Sequence, residues 1–185
     1  MAAAGFEVSS TYAGGLVKAL RETSLLTPQL EARLDESAKA LVSAPFARSW
    51  WPGSASTTLL RLVLEAHGAA KLEEVGLRVI KNSMGPIITP LTSVVGAIFG
   101  LKPSTLLERM GEFATTSVRG VSLSWNLATP THGQLHVSYP PGEDGKLFEP
   151  MWRGACLYAF EVTQTKGGSV SSQIDGSAIV FDVRW

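Results

Sequence analysis

The sequence predicts an α+β domain in which a helical N-terminal half is followed by a strand–strand–helix–strand–strand antiparallel sheet unit. Three observations predict it. Apolar residues recur at helical spacing from Leu30 to Met110. The period then drops to two, where Val121, Leu123, Trp125 and Leu127 alternate with Ser122, Ser124 and Asn126, and where Leu135, Val137 and Tyr139 alternate with His136 and Ser138. Asp175-Gly176 is a hairpin turn signal between two further strand-like runs. Helices segregated from an antiparallel sheet define the class.

Residues 1–10 are small and mixed, and read as a flexible N-terminus before a single domain over 11–185. The segment from Thr11 to Arg21 reads as a short strand or helix ending near Thr23-Ser24. Thr27 is an N-cap and Pro28 suits the first helical position, so one helix is expected from there to about Ser43, stopping before Pro45. The connector Phe46–Gly53 is aromatic. Ser54 or Ser56 can cap the next helix, which ends at His67-Gly68. Residues 69–82 and 87–99 read as two helices broken at Gly85-Pro86, and a short helix follows Pro103. In the C-terminal half, Thr129–Gly133 reads as the loop between the first two strands. Residues 148–163 return to helical spacing, and Ile179, Phe181, Val183 and Trp185 make the last strand.

Composition bounds the function. A chain of 185 residues is one large domain that needs no disulfide or metal to hold its core. Lys plus Arg and Asp plus Glu are 16 each, so no basic excess exists to neutralise phosphates, and no nucleic-acid partner is expected. Zero net charge weakens repulsion between copies and makes self-association easy. The start lacks a signal-peptide pattern, and the uncharged run from Asn82 to Gly100 carries two prolines; a cytoplasmic protein without a membrane span is expected.

Catalytic patterns are absent from the sequence. There is no Gly-x-Ser-x-Gly elbow and no phosphate-cradling glycine loop. Cys156 shares a helical apolar stripe with Trp152, Ala159 and Phe160, and is either a core thiol or a reactive thiol facing a tunnel. His132 and His136 are spaced as a metal pair only if helical, whereas here His132 reads as loop and His136 as the polar face of a strand. His67 at a helix end suits the helix dipole, with an axial haem ligand as the alternative. Adjacent carboxylates such as Glu73-Glu74 do not face each other on a helix. An enzyme with an unfamiliar site would draw on His132, His136 and Glu161.

The aromatics carry more information. Trp50 and Trp51 are adjacent and do not both enter one core easily, so one lines a cleft or staples the loop, with Arg48 and Arg153 available for cation–π contact. The nearly charge-free 82–100 segment, ending in Phe99, lies in sequence before the aromatic helix bearing Trp152 and Phe160. Together they suggest an apolar cleft between helices and sheet, with Trp50, Trp51, Phe99, Trp152, Cys156 and Phe160 as cleft or interface candidates. An ordinary packed core explains the same residues.

The stretches "FARSWWPG" at 46–53, the helix pair after it, and "MWRGACLYAFEV…IVFDVRW" at the end resemble a myxobacterial paralogous family of about this length. The shared marks are Pro-Gly after an aromatic pair, Gly154 and a terminal Trp185. The strand–strand–helix–strand–strand ending is also similar to the group of haem-type nitric-oxide sensors, vinyl-4-reductase-like domains and trafficking-complex subunits with an acyl tunnel. That resemblance implies a ligand-sensing or scaffold role, often in a dimer. The haem branch's Tyr-x-Ser-x-Arg motif does not occur here, and a single cysteine departs from the metal-type cysteines of the reductase branch. No cofactor is expected. The reading is a non-enzymatic module holding an apolar small molecule or a protein partner, with a homodimeric scaffold as the alternative.

Overall fold

The computed structural model describes the backbone of residues 5–99 and 102–185 and the side chains of 5–84 and 102–185. The chain begins with strand β1 (Glu7–Ser9) and passes directly into helix α1 (Ser10–Glu22). Ser9 caps α1 by accepting a hydrogen bond from the Tyr12 N–H at 3.2 Å. Ala13, Leu16, Val17 and Leu20 then bury one face of it. Phe6 and Val8, within the stretch expected as a flexible N-terminus, are buried in the core.

Thr27 and Pro28 do start a helix, but α2 (Pro28–Glu31) is one turn long. Asp35 opens a second helix, α3 (Glu36–Ser43), by accepting from the Ala38 N–H at 2.8 Å. A side chain that caps so well competes with helix continuation, which is why the single helix expected over 27–43 divides. The connector forms β2 (Trp50–Pro52), and α4 (Gly53–His67) follows with Pro52 at the cap position in place of the serines expected there.

Helix α5 (Ala69–Phe99) runs straight through Gly85-Pro86, where the sequence suggested a break. A proline removes one backbone donor at a cost of about 3 kcal/mol, and the buried turns before it, with Val75, Val79 and Met84 in the core, offset that. Pro150 is carried inside α7 in the same way. Helix α6 (Pro103–Ser117) leads into β3 (Val118–Arg119).

Three segments far apart in sequence make a small sheet in the order β2-β1-β3, with Val8 opposite both Trp51 and Val118. The helical half therefore contains strands that the sequence reading did not contain. The remaining strands are β4 (Ser122–Thr129), β5 (His132–Ser138), β6 (Ser169–Asp175) and β7 (Ala178–Arg184), with α7 (Gly145–Thr163) between β5 and β6. They form one antiparallel sheet in the order β4-β5-β7-β6. The expected strand–strand–helix–strand–strand unit is present. His132 and Gly133 belong to β5, however, and leave Pro130-Thr131 as the turn.

The sheet's inner face, with Leu135, Val137, Ile179, Phe181 and Val183, is buried beneath α7, which contributes Phe148, Met151, Ala155, Cys156 and Ala159. Its outer face is polar: Gln134, His136 and Ser138 on β5 stand beside Asp182 on β7 and Ser124 and Asn126 on β4. Arg153 ties α7 to β6, donating to Glu149 Oε1 at 2.6 Å, the Val170 carbonyl at 2.6 Å and Ser172 at 3.0 Å. Among the described residues, no helix is long and apolar enough to cross a membrane.

Candidate functional site

Where β1, α1, α4, α5 and α7 converge, the interior is not completely filled. A chamber of about 30 Å³ remains, walled by Phe6 and Val8 of β1, Leu60 of α4, Val79 of α5, and Phe148, Met151 and Trp152 of α7. Its aromatic wall is a single cluster. The Tyr139 ring stacks on Phe148 with centroids 3.9 Å apart, and Phe6 meets both edge-on, at 5.2 Å and 5.6 Å. Tyr139 arrives at the end of β5, and the Trp152 indole N–H donates to its hydroxyl at 3.0 Å. Tyr12 reaches the same chamber from α1. Burial pushes both phenols above their ordinary range, Tyr139 furthest, so both stay protonated. Ser56 also lines the chamber, but its hydroxyl is already committed to the Gly53 carbonyl at 2.8 Å.

A smaller void of about 10 Å³ lies on the other side of Trp152, between α6, α7 and the sheet, against Leu107, Met110, Trp125 and Cys156. Cys156 is fully buried, and loss of hydration pushes its thiol up to about 12. Nearby Arg153 pulls the other way but does not offset that, so the thiol is not a nucleophile at neutral pH.

The sequence-based candidates are distributed as follows. Trp152 lines both spaces, Cys156 lines the smaller one, and Phe160 is buried beneath Gly168. Trp51 is 1% exposed, donates its indole N–H to the Pro45 carbonyl at 2.8 Å and lies under Arg48. It staples the connector. Trp50 is half-buried beneath the Arg119 guanidinium, 3.7 Å from its ring. Arg153 serves Glu149 and β6, as above, rather than an aromatic face. The Phe99 side chain lies outside the described residues. Sequence reasoning missed Phe6, Tyr12 and Tyr139 as chamber residues; Tyr139, closing an alternating strand, was the one with a readable signal.

The histidine and glutamate candidates are not brought together. His132 and His136 share the outer face of β5, four residues apart and hence about 13 Å along the strand, too far for one metal ion. His132 is instead paired with Asp182 at 2.8 Å, holding that carboxyl below its usual range. Glu161 belongs to α7, on the opposite side of the sheet, and pairs with Lys81 at 3.3 Å. Among the described residues no three His, Cys, Asp or Glu side chains gather as a metal site.

Comparison with known proteins adds a fold. No family model and no curated protein matches the chain, so the resemblance to the myxobacterial family is not supported by a match. Solved structures do match. An H-NOX protein from K. algicida, in the unliganded Fe(II) form, aligns over 95% of this chain and 95% of its own, with a TM-score of 0.60 and 11% identity. An oxygen-binding H-NOX domain related to soluble guanylate cyclases, in its oxygen complex, aligns over 95% and 93%, with a TM-score of 0.56 and 14% identity. A haem protein studied for porphyrin distortion aligns over 96% and 99%, with a TM-score of 0.55 and 16% identity.

These structural neighbours raise the question of haem, and the described residues do not fit it. Haem iron takes a histidine, a cysteine thiolate, a methionine or a tyrosinate. His67 is exposed at the end of α4, and the other two histidines face outward from the sheet. Cys156, Tyr12 and Tyr139 keep their protons, and Met151 is a lone thioether on the chamber wall with no imidazole opposite. The 85–101 segment contributes no His, Cys, Met or Tyr. The aromatic cluster also leaves only about 30 Å³, where pockets for drug-sized ligands run to about 300–1,000 Å³. This chain has the H-NOX fold, and among the described residues its interior is closed by aromatic side chains and holds no haem donor set.

Proposed function

We propose that this chain is a non-enzymatic binding or sensing module that takes the end of an apolar small molecule in the chamber beside Trp152. What supports the reading is the wall itself: among the described residues it is apolar and aromatic on almost every side, with a few convergent hydroxyl groups and no charged residue, the usual make-up of a small-molecule site. Its volume admits about two water-sized groups. A larger ligand has to displace an aromatic side chain, and such a displacement is a route by which occupancy reaches the surface. The test is native mass spectrometry against the denatured mass, with an absorbance spectrum. Added mass that disappears on denaturation supports the reading, a bare mass counts against it, and a Soret band overturns the haem-free interior.

A second reading, a homodimeric scaffold, draws on the edge strand β4. Its eight residues include no charge and no proline, and Leu127 is 49% exposed, although natural edges are usually guarded by such residues. A strictly monomeric protein at high micromolar concentration by sedimentation removes this reading.

A further inference from the structure

Resting on the chamber as the ligand site, we propose that the ligand's buried end is a neutral hydrogen-bond acceptor of the carbonyl type, held by the hydroxyls of Tyr12 and Tyr139. The two phenols, one on α1 and one just after β5, line one apolar space. Tyr12 stands close enough to Tyr139 for its charge to act on that phenol. Tyr139 already accepts the Trp152 N–H, so its own proton is left to donate, and a hydroxyl that accepts a hydrogen bond becomes a stronger donor. Neither phenol donates to a protein group among the described residues. Ser56 does not compete, since its proton goes to Gly53. The chamber therefore presents two donors and asks for an acceptor.

Charge narrows the class further. Among the described residues, no Lys, Arg, His, Asp or Glu stands on the chamber wall. A carboxylate or an ammonium entering there loses its hydration and finds no counter-charge. Size narrows it again, because about 30 Å³ takes the carbon and oxygen of a carbonyl but not a ring. A ketone, ester or amide end satisfies all three conditions, and the apolar remainder takes the space of a displaced aromatic side chain of the wall.

The test uses four probes of five carbons each: 2-pentanone, n-pentane, pentanoate and pentylamine. Each is titrated into the intact protein while the methyl resonances of Val8, Val79 and Ala155 are followed. The ketone is expected to bind about tenfold more tightly than the hydrocarbon, and the two charged probes more weakly than either. Tyr139→Phe and Tyr12→Phe are each expected to weaken the ketone by roughly 3- to 10-fold and leave pentane unchanged, the loss of one hydrogen bond. Ketone and pentane binding equally, or a charged probe matching the ketone, overturns the inference and leaves the chamber as an apolar site. No response to any probe overturns both. The wild-type comparison stands whether or not the variants fold.

Discussion

Gly76 of α5 and Gly154 of α7 face each other's backbones. A side-chain carbon added at Gly76 would press on the Met151 carbonyl, and one added at Gly154 would press on the Glu73 carbonyl and the Leu77 N–H. The two helices thus approach as closely as main chains allow, and this crossing holds Trp152 and Met151 against the chamber. Backbone is the least able of all neighbours to move aside. Gly154→Ala is therefore expected to destabilise the fold by about 2 kcal/mol, the scale of overpacking. That corresponds to a fall in Tm of roughly 4–8 °C in a chain of this size. Gly111→Ala in α6, where an added carbon meets nothing within 4 Å, is expected to do the reverse, gaining about 0.5–1 kcal/mol from helix propensity. Thermal unfolding of the two variants checks the opposite signs.

The two adjacent tryptophans are expected to separate in the same assay. Trp51 is buried, and its indole satisfies the Pro45 carbonyl, so Trp51→Ala opens a cavity and orphans an acceptor, at about 3–5 kcal/mol. Trp50 gives up only partial burial and a surface contact with Arg119, so Trp50→Ala is expected to cost about 1 kcal/mol or less. Equal losses at the two positions would mean that the connector is not stapled by Trp51.

Asp35 joins two helices through one carboxylate. One oxygen caps α3 at the Ala38 N–H and the other accepts from the Thr58 hydroxyl of α4 at 2.8 Å. The backbone bond to Ala38 is the first cause of its lowered pKa, and Thr58 the second. A depressed carboxylate adds stability above its unfolded value near 4, and that stability is lost as pH falls through the depressed folded value. Asp35→Ala is expected to cost about 0.5–2 kcal/mol at neutral pH. Asp35→Asn, which still accepts hydrogen bonds, is expected to keep most of the cap and to flatten the acid limb of the stability curve. Urea titrations between pH 3 and 7 measure both.

Much of this fold is legible because its signals are local. The alternation around Trp125 and Val137, and the stripe through Met151, Ala155 and Ala159, each declare an element within ten residues. Asp175-Gly176 declares a turn in two. The small sheet is not legible, since a three-residue strand such as Glu7–Ser9 shows barely one alternation, and its partners stand near residues 51 and 118. Pro86 misleads for the converse reason: its signal is strong and local, while what carries α5 through it is the packing of Leu72, Val75 and Val79 far from the proline. The chamber combines both cases. Trp152 stands out in its own helix, but that Tyr12, Tyr139 and Trp152 converge follows from topology that no short window contains.

Cys156 offers a measurement of how tightly that interior is closed. Burial holds its thiol near 12, so at pH 8 the thiolate fraction is on the order of one in ten thousand, and the sulfur is covered besides. Labelling of the native protein by a disulfide reagent then has to wait for the structure to open. The rate is expected to rise with guanidinium in step with global unfolding, because α7 lies between two other layers and has no route to open alone. The destabilised Gly154→Ala variant is expected to label faster by the factor its stability loss sets, about 30-fold for 2 kcal/mol. Rapid labelling of the wild type without denaturant would instead mean that α7 moves off the sheet on its own, and that the chamber beside Trp152 opens without unfolding.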